Sequence, residues 1–203
     1  VGSVQNGLMK FKAGVFTRPF PAQRIGTVVR CLYQDPRGDL WIGSEFGLVC
    51  WNGKTLKNFN ARDGFNPADV LAITGDSAGN LWIGTALGEL RCLRGGKFQT
   101  YMPKDSLTDK SLLKASASAD PLSQIKRGTL TGGERFWSLH MDNDGVLWIG
   151  SLGGGLLRFK DGQFTRFTTR EDLPSDHINQ VLSDERGQLW LGTRAGIVRV
   201  SKQ

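Results

Sequence analysis

Few side chains in this chain have the type and spacing for catalysis. The two histidines are His140, in Phe136-Trp137-Ser138-Leu139-His140, and His177, in Pro174-Ser175-Asp176-His177. A nucleophile, base and orienting carboxylate can come in any chain order, but nothing beside either imidazole nominates a serine. Asp142-Asn143-Asp144-Gly145 opens like a calcium loop. The distal glutamate of such a loop is absent, and the equivalent words DPRG, DSAG and DERG do not keep the ligand set, so it reads as a turn. Cys31, Cys50 and Cys92 have no metal-ligand spacing and lie in apolar, strand-like contexts, where free buried thiols are expected. No catalytic residue, metal or cofactor is nominated.

A second set suits recognition better than reaction: Glu45, Phe46, Arg62, Asp63, Trp137, Arg170, Asp172, His177 and Arg194. Aromatic rings among carboxylates and guanidinium groups fit a carbohydrate or another small polar ligand. Each has a plainer reading. Arg62-Asp63 and Arg170-Glu171-Asp172 recur at equivalent places and would pin linkers by ion pairs or turns. Glu45 and Arg194 would be solvated loop charges. Trp137 would be packing beside a channel.

What groups these residues is a repeated sentence, Asp-x-x-Gly-x-Leu-Trp-Ile/Leu-Gly-Ser/Thr. It occurs at Asp35–Ser44, Asp76–Thr85, Asp142–Ser151 and Asp184–Thr193. Around each copy lie four strand-length pieces: an apolar run ending at the Asp, the Leu-Trp-Ile-Gly piece, a piece opening on Gly, and an aromatic piece. Asn52-Gly53 and Asp161-Gly162 are expected as two-residue hairpin turns. A four-stranded antiparallel meander repeated every 41 or 42 residues is a blade of a β-propeller, so the fold is expected to be all-β. The blades fall at 27–59, 70–101, 136–167 and 178–203, the last lacking its fourth strand. A partial blade occupies 1–20, because Val1–Phe11 aligns without a gap on Ile149–Phe159. The whole of 1–203 reads as one partial ring, about four blades' worth, cut from a longer propeller. Val15–Phe20 offers a strand that would close a four-bladed ring, at the cost of leaving Gly7–Lys12 surplus.

The Trp82-to-Trp148 step is 66 residues, so about 24 are inserted within 102–135. Ser111–Ala115 is expected to form a helical turn there, and the segment to lid a face or pack on a neighbouring protomer. Strand direction orients the rest. First-to-second and third-to-fourth turns share one face and are all tight. Second-to-third loops and fourth-to-first linkers share the other, which carries every candidate binding residue. Variable loops on a rigid scaffold are where binding concentrates.

Composition closes off other classes. The net charge is +7, yet the basic residues are scattered with no run of five, so nucleic acid is not an expected partner. There is no apolar stretch of about 18 residues to span a membrane. Open blade edges would favour self-association or contact with further blades.

These words resemble the two-component regulator propeller repeat, of the form I-x-x-I-x-x-D-x-x-G-x-LWIGT-x-x-GL-x-R-F. The resemblance covers nearly the whole chain outside the insertion, including the blade linker Thr168–Val181. It implies seven-bladed propellers in the periplasmic or otherwise extracytoplasmic sensors of bacterial hybrid two-component systems, many of which sense oligosaccharides. The chain is then a non-catalytic ligand-sensing segment, or alternatively a protein–protein interaction or dimerisation scaffold. A distant alternative is a lyase of the streptogramin lyase type, whose words read LWFTE where this chain reads LWIGT, LWIGS or LWLGT.

Overall fold

A computed structural model describes residues 1–3, 7–66, 68–103 and 134–200. Most of the 102–135 insertion, with its expected helical turn at Ser111–Ala115, lies outside the described residues. The chain begins with a small two-part unit. β1 (Gly2–Ser3) pairs with β2 (Gly7–Leu8), and β3 (Lys10–Lys12) pairs with β4 (Val15–Thr17). A short helix, α1 (Ala22–Ile25), leads to the first full blade: β5 (Val29–Gln34), β6 (Leu40–Ser44), β7 (Gly47–Trp51) and β8 (Leu56–Asn58). The second blade is β9 (Val70–Gly75), β10 (Leu81–Thr85), β11 (Leu90–Arg94) and β12 (Lys97–Tyr101). The third is β13 (Arg135–Met141), β14 (Leu147–Leu152), β15 (Leu156–Lys160) and β16 (Gln163–Phe167). A three-stranded sheet ends the described chain: β17 (Ile178–Ser183), β18 (Leu189–Thr193) and β19 (Gly196–Val200).

The registers show that the first unit is built like the others. Gly2 opposes Leu8 and Phe11 opposes Phe16, matching Gly150 with Leu156 and Phe159 with Phe164 in the third blade. Asp161 and Gly162 both have positive φ, as a tight two-residue hairpin turn requires. At the other expected turn the structure differs. Trp51 pairs with Leu56, so the loop has four residues, and Asn52 Oδ1 accepts from the amides of Lys54 and Thr55. The asparagine organises a longer loop through its side chain, as Asx turns do.

The core is divided between the blades. One cluster joins Leu8 and Ile25 to Val29, Ile42 and Val49; the next joins Trp41 and Leu48 to Phe65, Val70, Leu81 and Ile83. A third joins Trp82 and Leu90 to Phe136, Leu147, Ile149 and Phe159, and a fourth joins Trp148 and Leu156 to Ile178, Val181, Leu189 and Leu191. Each sheet therefore buries one face on its successor, and stability rests on nearest-neighbour interfaces. Trp41, Trp82 and Trp148 are buried, whereas Trp190, in the last sheet, is 38% exposed because no described blade covers it.

The strands β5, β9, β13 and β17 lie side by side as the inner wall. The ring is open. β4, which the sequence offered as a closing strand, pairs with β3 instead, and β19 has no partner on its outer edge among the described residues. Val15–Phe20 stays beside the first full blade, with β4 paired to β3 and the Phe20 ring edge-on to Trp51.

Candidate ligand-binding site

The repeated sentence first fixes the quiet face. Asp142 Oδ1 accepts from the amides of Asp144 and Val146, and its Oδ2 accepts from the Trp148 indole. The same triple contact recurs at Asp35, Asp76 and Asp184. One carboxylate thus closes the turn and ties it to the next strand, which explains Asp and Trp six residues apart. At the sentence's other end, Ser151 Oγ donates to Gly155 O and accepts from Gly154 N. Thr193 does the same with Gly196 and Ala195. The hydroxyl staples the loop that enters the third strand.

Those loops meet the linkers, so the two do share one face. Glu45 N donates to Val28 O, Ala86 N to Asp69 O, Gly153 N to Asp176 O and Arg194 N to His177 O. The sequence-nominated residues lie on this face, and the carboxylates of Glu45 and Asp63 are engaged by the scaffold. The Glu45 carboxylate accepts from Thr27 N, Thr27 Oγ1 and Val28 N at 2.8–2.9 Å, holding the entry to β5. Asp63 pairs with Lys57 at 2.9 Å and accepts from Asn60 N in a capping box. The hydrogen bond from Lys57, then that from Asn60, holds its carboxyl below the ordinary range. Thr168 and Glu171 form the equivalent box, with Asp172 at φ 62° where the first linker has Gly64 at 81°. The recurrent Arg-Asp and Arg-Glu-Asp words are in this respect linker pins. Arg62, Arg170 and Arg194 are exposed, as is the Phe46 ring, and His177 is half-buried with its amide on Ser175 Oγ.

These residues do not converge. Among the nine, Trp137 alone lines the concavity formed by the four inner strands, a cavity of about 370 Å³. That falls in the lower part of the ~300–1,000 Å³ range of small-ligand sites. Its other walls include Arg30, Leu71, Ser138, Asn179 and Gln180, none of which the sequence singled out. The reason is a β-bulge. Val29 and Cys31 oppose Ser44 and Gly43, so Arg30 is skipped in the pairing with β6. The pairings of β9, β13 and β17 skip Leu71, Trp137 and Asn179 in the same way. Bulges re-aim side chains and occur beside functional sites. Here they put one extra residue per blade at the loop-rich end of the inner wall, so Trp137 is 37% exposed rather than packed in the core. The sequence signal was a residue interrupting the period of two directly after a buried Val, Phe or Ile. It is legible only once four copies are superposed.

Electrostatics around the cavity are mild. Arg30 forms a two-pronged pair with Asp69 at 3.2 and 2.9 Å. Ser138 Oγ accepts from Val181 N, and His140 Nε2 lies 2.8 Å from Ser183 Oγ, so both cross-link neighbouring inner strands. Cys31, also on the wall, has its thiol pushed up to about 12, chiefly by burial. No group of three or more His, Cys, Asp or Glu suited to a metal ion occurs among the described residues.

The fold has known counterparts. An extracellular domain assigned to a one-component system of B. thetaiotaomicron superposes with a TM-score of 0.72 at 17% identity, over 100% of this chain and 26% of that one. One assigned to a hybrid two-component system of the same organism gives 0.73 at 23% identity, over 99% and 25%. The chain thus spans about a quarter of the length of these domains. A catalytically inactive virginiamycin B lyase from Staphylococcus aureus, solved with quinupristin, gives 0.59 at 15% identity, over 94% and 61%. These likenesses establish a β-propeller fold. No curated protein matches the chain in sequence. The two component regulator propeller family matches it four times, over residues 23–46, 64–86, 129–153 and 172–195. The repeated Asp–Trp turns and stapled loops thus coincide with four copies of the two component regulator propeller repeat.

Proposed function

We propose that this chain is a non-catalytic ligand-sensing segment of a bacterial signal-transduction receptor, placed in the periplasm or otherwise outside the cytoplasm. Its ligand is a carbohydrate or another small polar molecule, taken up on the loop-rich face. The observation carrying this reading is the cavity at that end of the inner wall, where each blade delivers a bulged side chain. The four repeat matches and the likeness to extracellular domains of signalling systems support the setting. The lyase-like neighbours share the fold, but the glutamate of the LWFTE word is replaced in all four copies.

A protein–protein or dimerisation scaffold is the second reading. It is favoured by the apolar surface of the last sheet, where Ile197 is 80% exposed beside Leu182 and Trp190. A glycan array combined with sedimentation analysis of the chain separates the two. Saccharide binding by the monomer supports sensing. Concentration-dependent self-association with no saccharide bound overturns sensing in favour of the scaffold.

A further inference from the structure

The four bulge positions differ from their neighbours in one respect. The residues just before them, Val29, Val70, Phe136 and Ile178, are all apolar and buried in blade interfaces. The bulged residues are chemically unlike one another: a guanidinium (Arg30), an alkyl group (Leu71), an indole (Trp137) and an amide (Asn179). The architecture fixes where each side chain goes; Leu71 is buried, whereas Arg30, Trp137 and Asn179 are exposed, so packing does not dictate what those three are. Such positions are suited to reading a ligand, each blade contributing one contact from a rigid strand.

We infer that this ring of bulged residues is a saccharide subsite for a neutral sugar ring, a deepening that rests on the sensing reading above. The Trp137 indole supplies a broad, stiff apolar face with a polar edge, matching the C–H face of a pyranose. The amides of Asn179 and Gln180 each carry two N–H donors and a carbonyl acceptor, suited to hydroxyls that both give and receive hydrogen bonds. Leu71, on the neighbouring strand β9, adds an apolar side to the cavity. Charge decides between neutral and acidic sugars. Arg30 is the one charged side chain lining the cavity among the described residues, and Asp69 matches its charge with two hydrogen bonds. A sugar carboxylate or sulfate would compete with Asp69 for the guanidinium, and the described residues of the wall include no second cation. A neutral ring meets no such competition.

The test titrates the chain with neutral cello-, laminari-, manno- and xylo-oligosaccharides and with uronate and sulfated oligosaccharides, following heat release and tryptophan emission. The expected result is a neutral oligosaccharide whose affinity falls about tenfold or more in Trp137→Ala, as for a stacked hot-spot aromatic. It falls less in Asn179→Ala and not at all in Glu185→Ala on the far face. Trp137→Phe keeps partial affinity and loses the binding-induced emission change, which separates lost stacking from lost folding. A saccharide whose affinity ignores Trp137 and Asn179 but drops in Phe46→Ala or Arg194→Ala overturns this site and leaves the sensing reading standing. Binding of the acidic sugars alone overturns the neutral class. Binding of none overturns both.

Discussion

The Trp148 indole nitrogen donates to Asp142 Oδ2 at 2.9 Å, joining the turn that ends β13 to the side chain that fills the interface with the next sheet. The same Asp Oδ1 holds two amides of the turn, so three donors converge on one buried carboxylate. Asp142→Ala leaves all three without this acceptor and is expected to cost about 2–3 kcal/mol, whereas Trp148→Phe removes one donor and keeps most of the ring, costing about 1 kcal/mol. Urea midpoints of the two variants check this. Equal shifts would mean that the indole alone gives the aspartate its importance.

The glycine that follows Trp-Ile allows successive blades to touch. A Cβ on Gly150 would sit 2.8 Å from Ile178 Cγ2 and 3.0 Å from Ile178 O, and one on Gly84 would sit 2.9 Å from Phe136 O. At Gly192, in the last sheet, the nearest atom is Gln180 Cβ at 3.4 Å. Gly150→Ala is expected to destabilise by about 1–3 kcal/mol through overpacking, and Gly192→Ala to stay within about 0.5 kcal/mol of the parent. Thermal scans of the two decide whether this glycine serves the interface between blades or the strand itself.

Acid should loosen the turns. At Asp184 the hydrogen bond from the Trp190 indole, then that from the Gln188 amide, holds the carboxyl below the ordinary range. At Asp76 burial is the largest effect and raises it, but the bonds from Asn80, Trp82 and the turn amides together outweigh burial and bring it below. Asp35 behaves likewise, with Arg37 and Trp41 as side-chain donors. A carboxyl depressed in the fold gives stability that is complete above its unfolded value and is lost as pH falls through the folded one. The thermal midpoint should therefore hold down to about pH 5 and fall below about pH 4. Asp76→Asn should start lower and show a shallower fall. An unchanged acid limb in that variant would remove Asp76 from the explanation.

Blade architecture was legible in the sequence because its determinants are local. Asp142 and Trp148 are six residues apart, and the stapling hydroxyl of Ser151 acts within four. The linker words Arg62-Asp63 and Arg170-Glu171-Asp172 also declared their role by recurring, and both lie in capped turns. Glu45 did not. Its partners, Thr27 and Val28, are 18 and 17 residues away, and only strand pairing brings them to its carboxylate.

The sequence by itself determined the repeat, the strand order within a blade and the face on which loops and linkers meet. Each follows from periodic, short-range constraints on turns, hydroxyl staples and close-packed glycine. Tertiary structure decided which side chains face the cavity. A bulge is defined by what the partner strand skips, so Arg30, Leu71, Trp137 and Asn179 become equivalent only when β5, β9, β13 and β17 are paired and set side by side. Closure was decided there too: β4 pairs with β3 within the first unit, leaving the edge of β19 unpaired among the described strands.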